Sequence, residues 1–420
     1  MLKIEYIIEN RDAIKHSVKA REKDIDIDLL ISKYEKLKKL KKEIDDLRRI
    51  RNILTEKINS LNKKKKNTDE TIEESKKNNE KIEIIELEYD SLNSEYISLL
   101  YKVPNILHDD VPIANEDRVD WETKLKKPIF DFKPKTNWEI LTDLNLADFK
   151  RGIKAAGDRG WVLRGDAARL ARAITNFILD FWREKGYFEL IPPYYVKEEN
   201  LYITGHYPGG EKEVYKTEDG KVFVGTGEIS VLAILKDDLF NKKDLPKRFM
   251  CYTPCFRREA GNRADDKGLY RTHQFDKVEL TLITTPKQEE EEYNKIFEGL
   301  KELYTSLEIP HRIITHRAND MPNKATIEKD IEIWLAGENR WGEVGSIGMT
   351  GSFQAIRGNI KYASEGKKEF VHTIYATAGV ANRILIAILN NFQQKDGTVK
   401  IPKALVSYMD GINTLREQKD

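Results

Sequence analysis

Between Cys255 and Leu280 the chain reads CFRREAGNRADDKGLYRTHQFDKVEL, and three kinds of chemistry coincide there. Arg257 and Arg271 carry planar forks that grip phosphate oxygens in pairs. Phe275 offers a face on which a base can stack, and Glu259 and Glu279 offer carboxylates for amino or ammonium groups. Phe256 to Glu259 leads in as a strand end, 261–268 is a loop rich in Gly, Asp and Arg, and Gln274 to Leu280 alternates as a second strand. Such a hairpin puts Arg257, Glu259, Arg271, Phe275 and Glu279 near one sheet face. A solvated hairpin with cross-strand ion pairs would account for the charges alone, but the concentration of three functions weakens that reading. The upstream run VGTGE is glycine-rich, yet it lacks the Lys-Ser/Thr of a phosphate-binding loop.

The elements that would position these residues are legible as short alternating runs: KVFVGTG, RFMCYTP, DKVELTLITT, HRIITHR, DIEIWLA and WGEVGSI. They are interleaved with helical stretches such as EEEEYNKIFEGLKELYTSL and AARLARAITNFILDFWREKG, the latter with Leu170, Ile174, Phe177 and Phe181 at helical spacing. The pattern predicts an α+β domain built on a largely antiparallel sheet of six or seven strands with flanking helices. The first quarter is different. Leu37, Leu40, Ile44, Leu47, Leu54, Ile58 and Leu61 alternate in steps of three and four with Arg51 as the polar member, and Ile82, Ile85, Tyr89, Leu92, Tyr96, Leu99 and Val103 repeat the pattern. Two long helices are predicted, reversing within NKKKKNTDETIEESKKNN into an antiparallel coiled-coil hairpin. Its first helix is heavily basic, with Lys38, Lys41, Arg48 and Arg49 among the exposed cations, so it either stays solvated or lies along a nucleic-acid backbone. The expected organisation is an arm over 1–105, a linker over 106–145 and a catalytic domain over 146–420.

The whole chain has 420 residues, 72 basic against 71 acidic, so its net charge of +1 neither favours nor excludes a polyanionic partner. No apolar run approaches the roughly 20 residues that cross a bilayer. Two cysteines spaced C-x3-C build neither a disulfide framework nor a structural zinc site. With an N-terminus that resembles neither a secretory signal nor a transit peptide, a cytoplasmic protein is expected.

These segments together resemble the class II aminoacyl-tRNA synthetases, and among them the seryl-tRNA synthetases of the bacterial and eukaryotic type. FRREAG followed by GLYRTHQFDKVEL is similar to that family's motif 2, KGYFELIPP resembles motif 1 with its proline at Pro193, and AGVANRILIAILNNFQQ resembles motif 3 with its arginine at Arg383. The resemblance extends to the hairpin arm, VPNILHDDVP, the Thr226-Gly227-Glu228 segment, EVGS at Glu343 to Ser346 and the tail KIPKALVSYMDG. It implies ATP and Mg²⁺ as cofactors, serine and tRNA(Ser) as substrates, a homodimer built through motif 1, and an arm that binds tRNA through residues such as Lys38, Lys41, Arg48 and Arg49. It further implies that Arg257 and Arg383 are the catalytic arginines. Arg257 would hold the α-phosphate and the amino-acid carboxylate, Glu259 the adenine amino group, and Phe275 and Arg383 the two faces of the adenine. Arg271 and Arg383 would reach the γ-phosphate, Glu343 and Ser346 would bind Mg²⁺, and Thr226, Glu228, Glu279, Tyr375 and Thr377 would form the amino-acid pocket.

Departures from the family's pattern gather around that pocket. The usual Asn-Gly-Ser/Thr-Gly-Leu is here Tyr375-Ala376-Thr377-Ala378-Gly379, so an asparagine beside the substrate hydroxyl becomes a tyrosine. Ser-Ser-Cys-Ser-Asn becomes Gly345-Ser346-Ile347-Gly348-Met349, FQARR becomes FQAIR at Ile356, TAE becomes TGE, and an upstream lysine becomes Ile327. Serine selection through Glu279 and Thr377 is the first expectation. A paralog with redirected amino-acid choice and a non-catalytic tRNA-binding paralog are the alternatives.

Overall fold

The computed structural model describes residues 1–260 and 268–419 and separates into two compact units, Leu2–Pro104 and Asn105–Asp420 with Met1. The loop expected over 261–268 therefore lies, but for Gly268, outside the described residues.

In the first unit, two short helices, Ile4–Glu9 and Arg11–Ala20, precede the long pair α1 (Ile27–Lys63) and α2 (Asp69–Lys102). Asp26 caps α1 by accepting from the amides of Asp28 and Leu29, both at 2.9 Å. Leu37, Leu40, Ile44 and Leu54 of the predicted seam are buried, facing Ile82, Tyr96 and Leu100. Lys33–Glu95, Lys36–Glu88 and Arg48–Glu86 tie the antiparallel helices along their flanks. The reversal is shorter than the polar stretch suggested: it occupies 64–68, and α2 begins at Asp69, well before Ile82. Glu and Lys are good helix formers, Asp69 and Glu70 suit the positive end of the helix, and Thr71 and Asn78 fill seam positions where apolar residues were sought. The buried amide of Asn78 is satisfied by a 3.1 Å bond from Nδ2 to the Leu47 carbonyl.

The second unit is built on an eight-stranded sheet among the described residues: β1 (Arg118–Glu122), β2 (Phe188–Leu190), β3 (Lys247–Phe256), β4 (Gln274–Thr284), β5 (His311–Thr315), β6 (Ile327–Leu335), β7 (Arg340–Met349) and β8 (His372–Val380). The spatial order is β1-β5-β6-β7-β8-β4-β3-β2, antiparallel throughout except for the β2–β3 pair at one edge. The expectation of six or seven strands fell short because the stretch 106–145, read as linker, contributes edge strand β1 and a helix at Asn137–Asp143. Four of the five residues of β1 are exposed, so it carries no apolar alternation to be read.

Three helices border the face that carries the candidate residues or back it from behind: α3 (Gly165–Glu184), α4 (Gly227–Ile234) and α5 (Ala381–Asn391). Helices α3 and α5 meet one face of the sheet, where Ile178 and Ile384 crowd Gly379 so closely that a Cβ there would come within 2.6 Å of Ile178. Pairing of β8 with β4 slips between Thr377 and Gly379. This bulge lets Gly379 face the helices while Thr377 stays on the opposite face with Tyr375.

Candidate active site

Register alone gathers the candidate residues on that opposite face. Across it, Cys251 pairs with Glu279 and Glu279 with Thr377. One step along, Thr281 pairs with Tyr375, Tyr375 with Gly348 and Gly348 with Glu328. Residues two apart on a strand share a face, so Phe275, Lys277, Glu279 and Thr281 form one line on β4. Glu343 and Ser346, three apart, would point to opposite faces of a regular strand. A bulge between Glu343 and Gly345 corrects this: the two lie across from Glu332 and Asp330, which are two apart on β6.

At one end of this face stand the arginines. Arg257 follows β3, its Nε donating to the Gly225 carbonyl at 3.2 Å, and its guanidinium lies 5.2 Å from the centre of the Phe275 ring. Arg383, in the first turn of α5, donates from Nη1 to the Glu343 carboxylate at 2.9 Å and to its carbonyl at 3.0 Å, over the ring of Tyr270. The Arg383 charge holds the Glu343 carboxyl below its usual range. Glu259 has a left-handed backbone, φ +48°, and its carboxylate is engaged by Arg271. Arg159, which the sequence did not single out, stands 4.0 Å from the same group.

At the other end lies a buried polar network. Glu228, 2 % exposed, receives Lys324 Nζ on both oxygens at 2.7 and 2.6 Å, and Gln354 Nε2 on Oε1 at 2.6 Å. Burial pushes its carboxyl up, but the lysine and glutamine outweigh that and hold it below its ordinary value. Thr226 caps α4 and accepts from Lys277 Nζ at 2.9 Å, which also pairs with Glu279. Burial raises the Glu279 carboxyl, with Lys277 pulling the other way. His206 bonds Thr204 Oγ1 at 2.7 Å, and burial beside Lys324 drives its pKa down to about 3, so the ring is neutral. Tyr375 donates its phenol hydrogen to Glu328, and Lys324 Nζ sits 3.7 Å above its ring. Burial beside Asp330 lifts Glu328 to about 7. His316 is 3.0 Å from Asp330, which offsets the cost of burial and raises the imidazole to about 9. These three groups lie within 4.8 Å of one another as a closed charge cluster under Ser346.

The departures from the family's pattern interlock here. A Cβ at Gly348 would meet Tyr375 Cζ at 2.4 Å, so the placement of the Tyr375 ring requires glycine at 348. A Cβ at Gly227 would meet Cys251 Sγ at 2.4 Å, which accounts for TGE. Ile327 is buried in the sheet, and the ammonium that enters the pocket comes from Lys324 instead. Lys277 could have been found from its parity with Phe275 and Glu279. Lys324 and His206 lie in loops with no periodic signal.

Lys324→Met is expected to destabilise the fold by about 3–5 kcal/mol at pH 7, because it strands a buried carboxylate. With its pKa depressed, Glu228 contributes stability that is complete above its ordinary value of 4.5 and is lost as pH falls through the folded value. The deficit of the variant should therefore shrink between pH 7 and pH 5 as its unpaired Glu228 takes up a proton. Urea unfolding at the two pH values checks this; a deficit that grows on acidification would contradict the pairing.

Comparison with known proteins places both units. Residues 215–392 match the tRNA synthetase class II core domain (G, H, P, S and T), and residues 1–107 match the seryl-tRNA synthetase N-terminal domain. A serine–tRNA ligase of Fusobacterium nucleatum is 38% identical over 321 residues, 75% of this chain and 76% of that protein. The chain belongs to the seryl-tRNA synthetase family. A serine–tRNA ligase of Thermotoga neapolitana is 40% identical over 317 residues, 74% of this chain and 75% of its own. The crystal structure of Pyrococcus horikoshii seryl-tRNA synthetase complexed with ATP superposes with a TM-score of 0.90 at 30% identity, covering 100% of both chains. The α+β sheet with its helical arm is thus the seryl-tRNA synthetase architecture. Among the described residues no helix is long and apolar enough to cross a membrane.

Proposed function

We propose that this chain is a cytoplasmic serine–tRNA ligase that activates serine with ATP and transfers it to tRNA(Ser). The observation that carries the proposal is the shared face on which the Glu279–Thr377 pair adjoins the line running to Phe275 and Arg257. A carboxylate and a hydroxyl there suit the ammonium and side-chain hydroxyl of serine, with Thr226 and Glu228 shaping the wall. An arginine and an aromatic ring beside them suit a nucleoside triphosphate.

In the first step the serine carboxylate attacks the α-phosphorus, forming the acyl–phosphate bond as pyrophosphate leaves. Arg257 offsets the charge that gathers on the α-phosphate oxygens, and Arg383 and Arg271 take the γ-phosphate end. Phe275 supports the adenine, and Glu259, once released from Arg271, receives its amino group. Little proton transfer is needed from the protein, so the rate gain comes from positioning and fixed charge. In the second step a ribose hydroxyl at the tRNA 3′ end attacks the acyl carbonyl and AMP departs.

Glu343 and Ser346 fit a magnesium ion: they are hard oxygen donors that the β7 bulge brings to one side, and Arg383 keeps the carboxylate ionised. When bound there, Mg²⁺ would supply positive charge to offset that of the phosphates. A homodimer through the motif 1 segment is supported by Phe188, 65% exposed, and Ile191, 84% exposed, at the edge of the sheet. For the arm, the exposed Lys38, Lys41 and Arg49 suit the phosphates of tRNA(Ser).

Amino-acid-dependent ATP–pyrophosphate exchange tests the reading. Serine should stimulate exchange well above any other amino acid. Stimulation by a different amino acid would make the pocket a redirected one, and none at all would leave only a binding protein.

A further inference from the structure

Two arginines face one oxygen of Glu259. Arg271 Nη1 donates to Oε2, while Arg159 Nη1 stands 4.0 Å from that same atom. This Nη1 of Arg159 is buried and has no hydrogen-bond partner among the described residues. A buried donor left unpaired is costly, so its placement beside the carboxylate needs a reason. The backbone of the pair is equally unusual: Arg159 has φ +56° and Glu259 φ +48°, both in the left-handed region that residues with side chains seldom adopt. The surrounding chain holds this arrangement. A Cβ at Gly160 would come within 2.4 Å of the Gly152 carbonyl oxygen, and one at Gly152 within 2.5 Å of Trp161 Cα, so the turn 157–161 is folded tightly on the helix Phe149–Ala156. From that turn Trp161 Nε1 donates to the Gln274 carbonyl at 3.3 Å, and Asp158 lies 3.5 Å from His273 Nε2. The His273 carbonyl in turn accepts from the Arg257 amide at 2.9 Å. Arg159 is thus fixed on both sides to the hairpin that carries Arg257, Glu259 and Phe275.

We propose that Arg159 is a positioning residue for adenine recognition: when the γ-phosphate of ATP draws Arg271 away, Arg159 takes over Oε2 of Glu259 and holds the carboxylate toward the adenine amino group. The inference deepens the nucleotide half of the proposed function and rests on it. The Glu259 side chain is only 10% exposed, so losing Arg271 with nothing in its place would strand a largely buried charge. Closing from 4.0 Å to a charge-assisted bond of about 2.8 Å asks for a movement of about 1 Å from a long, flexible side chain. With one oxygen held by Arg159, the other keeps its lone pairs for the amino hydrogens. A carboxylate only accepts, so it suits the amino group of adenine and repels the oxo group that guanine carries at the same position.

The test is kcat/KM for serine-dependent pyrophosphate exchange with ATP and with purine riboside triphosphate, which lacks the exocyclic amino group. It is measured on the unsubstituted full-length protein, Arg159→Ala and Arg159→Gln. The unsubstituted protein should prefer ATP by about tenfold or more, the usual worth of a hydrogen bond to a charged acceptor. Arg159→Ala should remove most of that preference: kcat/KM for ATP falls about tenfold, chiefly through a higher KM, while the value for the analogue moves by less than about threefold. Arg159→Gln keeps the length of the side chain without its charge and should give the same result, so it decides the matter should the alanine variant fail to fold. An equal loss with both nucleotides overturns the inference, because Arg159 would then serve the phosphates or the fold rather than the amino group. An undiminished preference for ATP in the neutral variants, or no preference in the unsubstituted protein, overturns it as well, and in all these cases the proposed function stands. Absence of serine-dependent exchange with ATP in the unsubstituted protein refutes the proposed function itself.

Discussion

Arg257→Ala should lower serine-dependent ATP–pyrophosphate exchange by about 10²–10³-fold, the usual loss when one fixed donor to developing charge is removed. Arg383→Ala is expected to lose as much. The two should differ in character because their surroundings differ. Arg257 rests on Phe275 and on the Gly225 carbonyl, neither of which becomes a stranded charge when it is cut back. Its loss should appear mainly in kcat, with the thermal midpoint little changed. Arg383 is the 2.9 Å partner of Glu343 and keeps that carboxyl ionised. Removing it frees Glu343 to take up a proton more readily, so KM for ATP should rise with the loss of kcat and more magnesium should be needed for half-maximal exchange. Lysine at 257 should recover little, since an ammonium cannot make the two parallel bonds of a guanidinium. Steady-state exchange across ATP and magnesium concentrations, with circular dichroism as the control for folding, separates these outcomes. Either alanine variant retaining activity within about tenfold would contradict the role assigned to its arginine.

What could be read from the sequence divides along physical lines. Period carries information about faces, so the heptads of α1 and the alternation of β4 were legible, and with them the companionship of Phe275 and Glu279. Bulges break that period. Nothing in EVGS announces that Glu343 and Ser346 share a side, or that Ala378 is the extra residue that turns Gly379 toward Ile178. Resemblance supplied those residues before geometry could. Resemblance also showed the departures around the pocket as separate changes, because it compares positions one at a time. The structure joins them: Tyr375 fits because position 348 is glycine, and Glu228 keeps a cation through Lys324, a loop residue that no spacing rule would nominate. Exposed edge elements were missed for a third reason. Strand β1 buries almost nothing, and the first turns of α2 bury little more than Thr71 and Asn78, so neither writes an apolar pattern into the chain.

Triple substitution of Lys38, Lys41 and Arg49 by glutamine should leave serine-dependent exchange intact and cripple tRNA charging. Each of the three has a loose ion-pair partner on its own helix, Glu35 at 3.5 Å, Asp45 at 3.4 Å and Asp46 at 3.5 Å, and Lys38 also lies 5.6 Å from the Tyr34 ring centre. Exposed pairs of that kind contribute about 0.2–1 kcal/mol or nothing, so their cations can be handed to phosphates at small cost. Each phosphate neutralised releases counterions and adds about 0.9 to the slope of log K against log salt. Loss of three contacts should therefore reduce that slope by about 3 and weaken tRNA binding on the order of 10²-fold at 0.1 M salt. Arg48 is the informative contrast. Its guanidinium crosses the hairpin to Glu86 at 2.7 Å, so it is already committed to holding α1 against α2. Arg48→Gln should change the salt slope less than any of the other three single substitutions, and should instead lower the stability of the arm slightly. Filter binding of tRNA(Ser) across a salt series, beside exchange assays on the same preparations, gives both readouts. An unchanged salt slope in the triple variant would mean that these cations only keep the arm in solution, and that tRNA is held elsewhere on the chain.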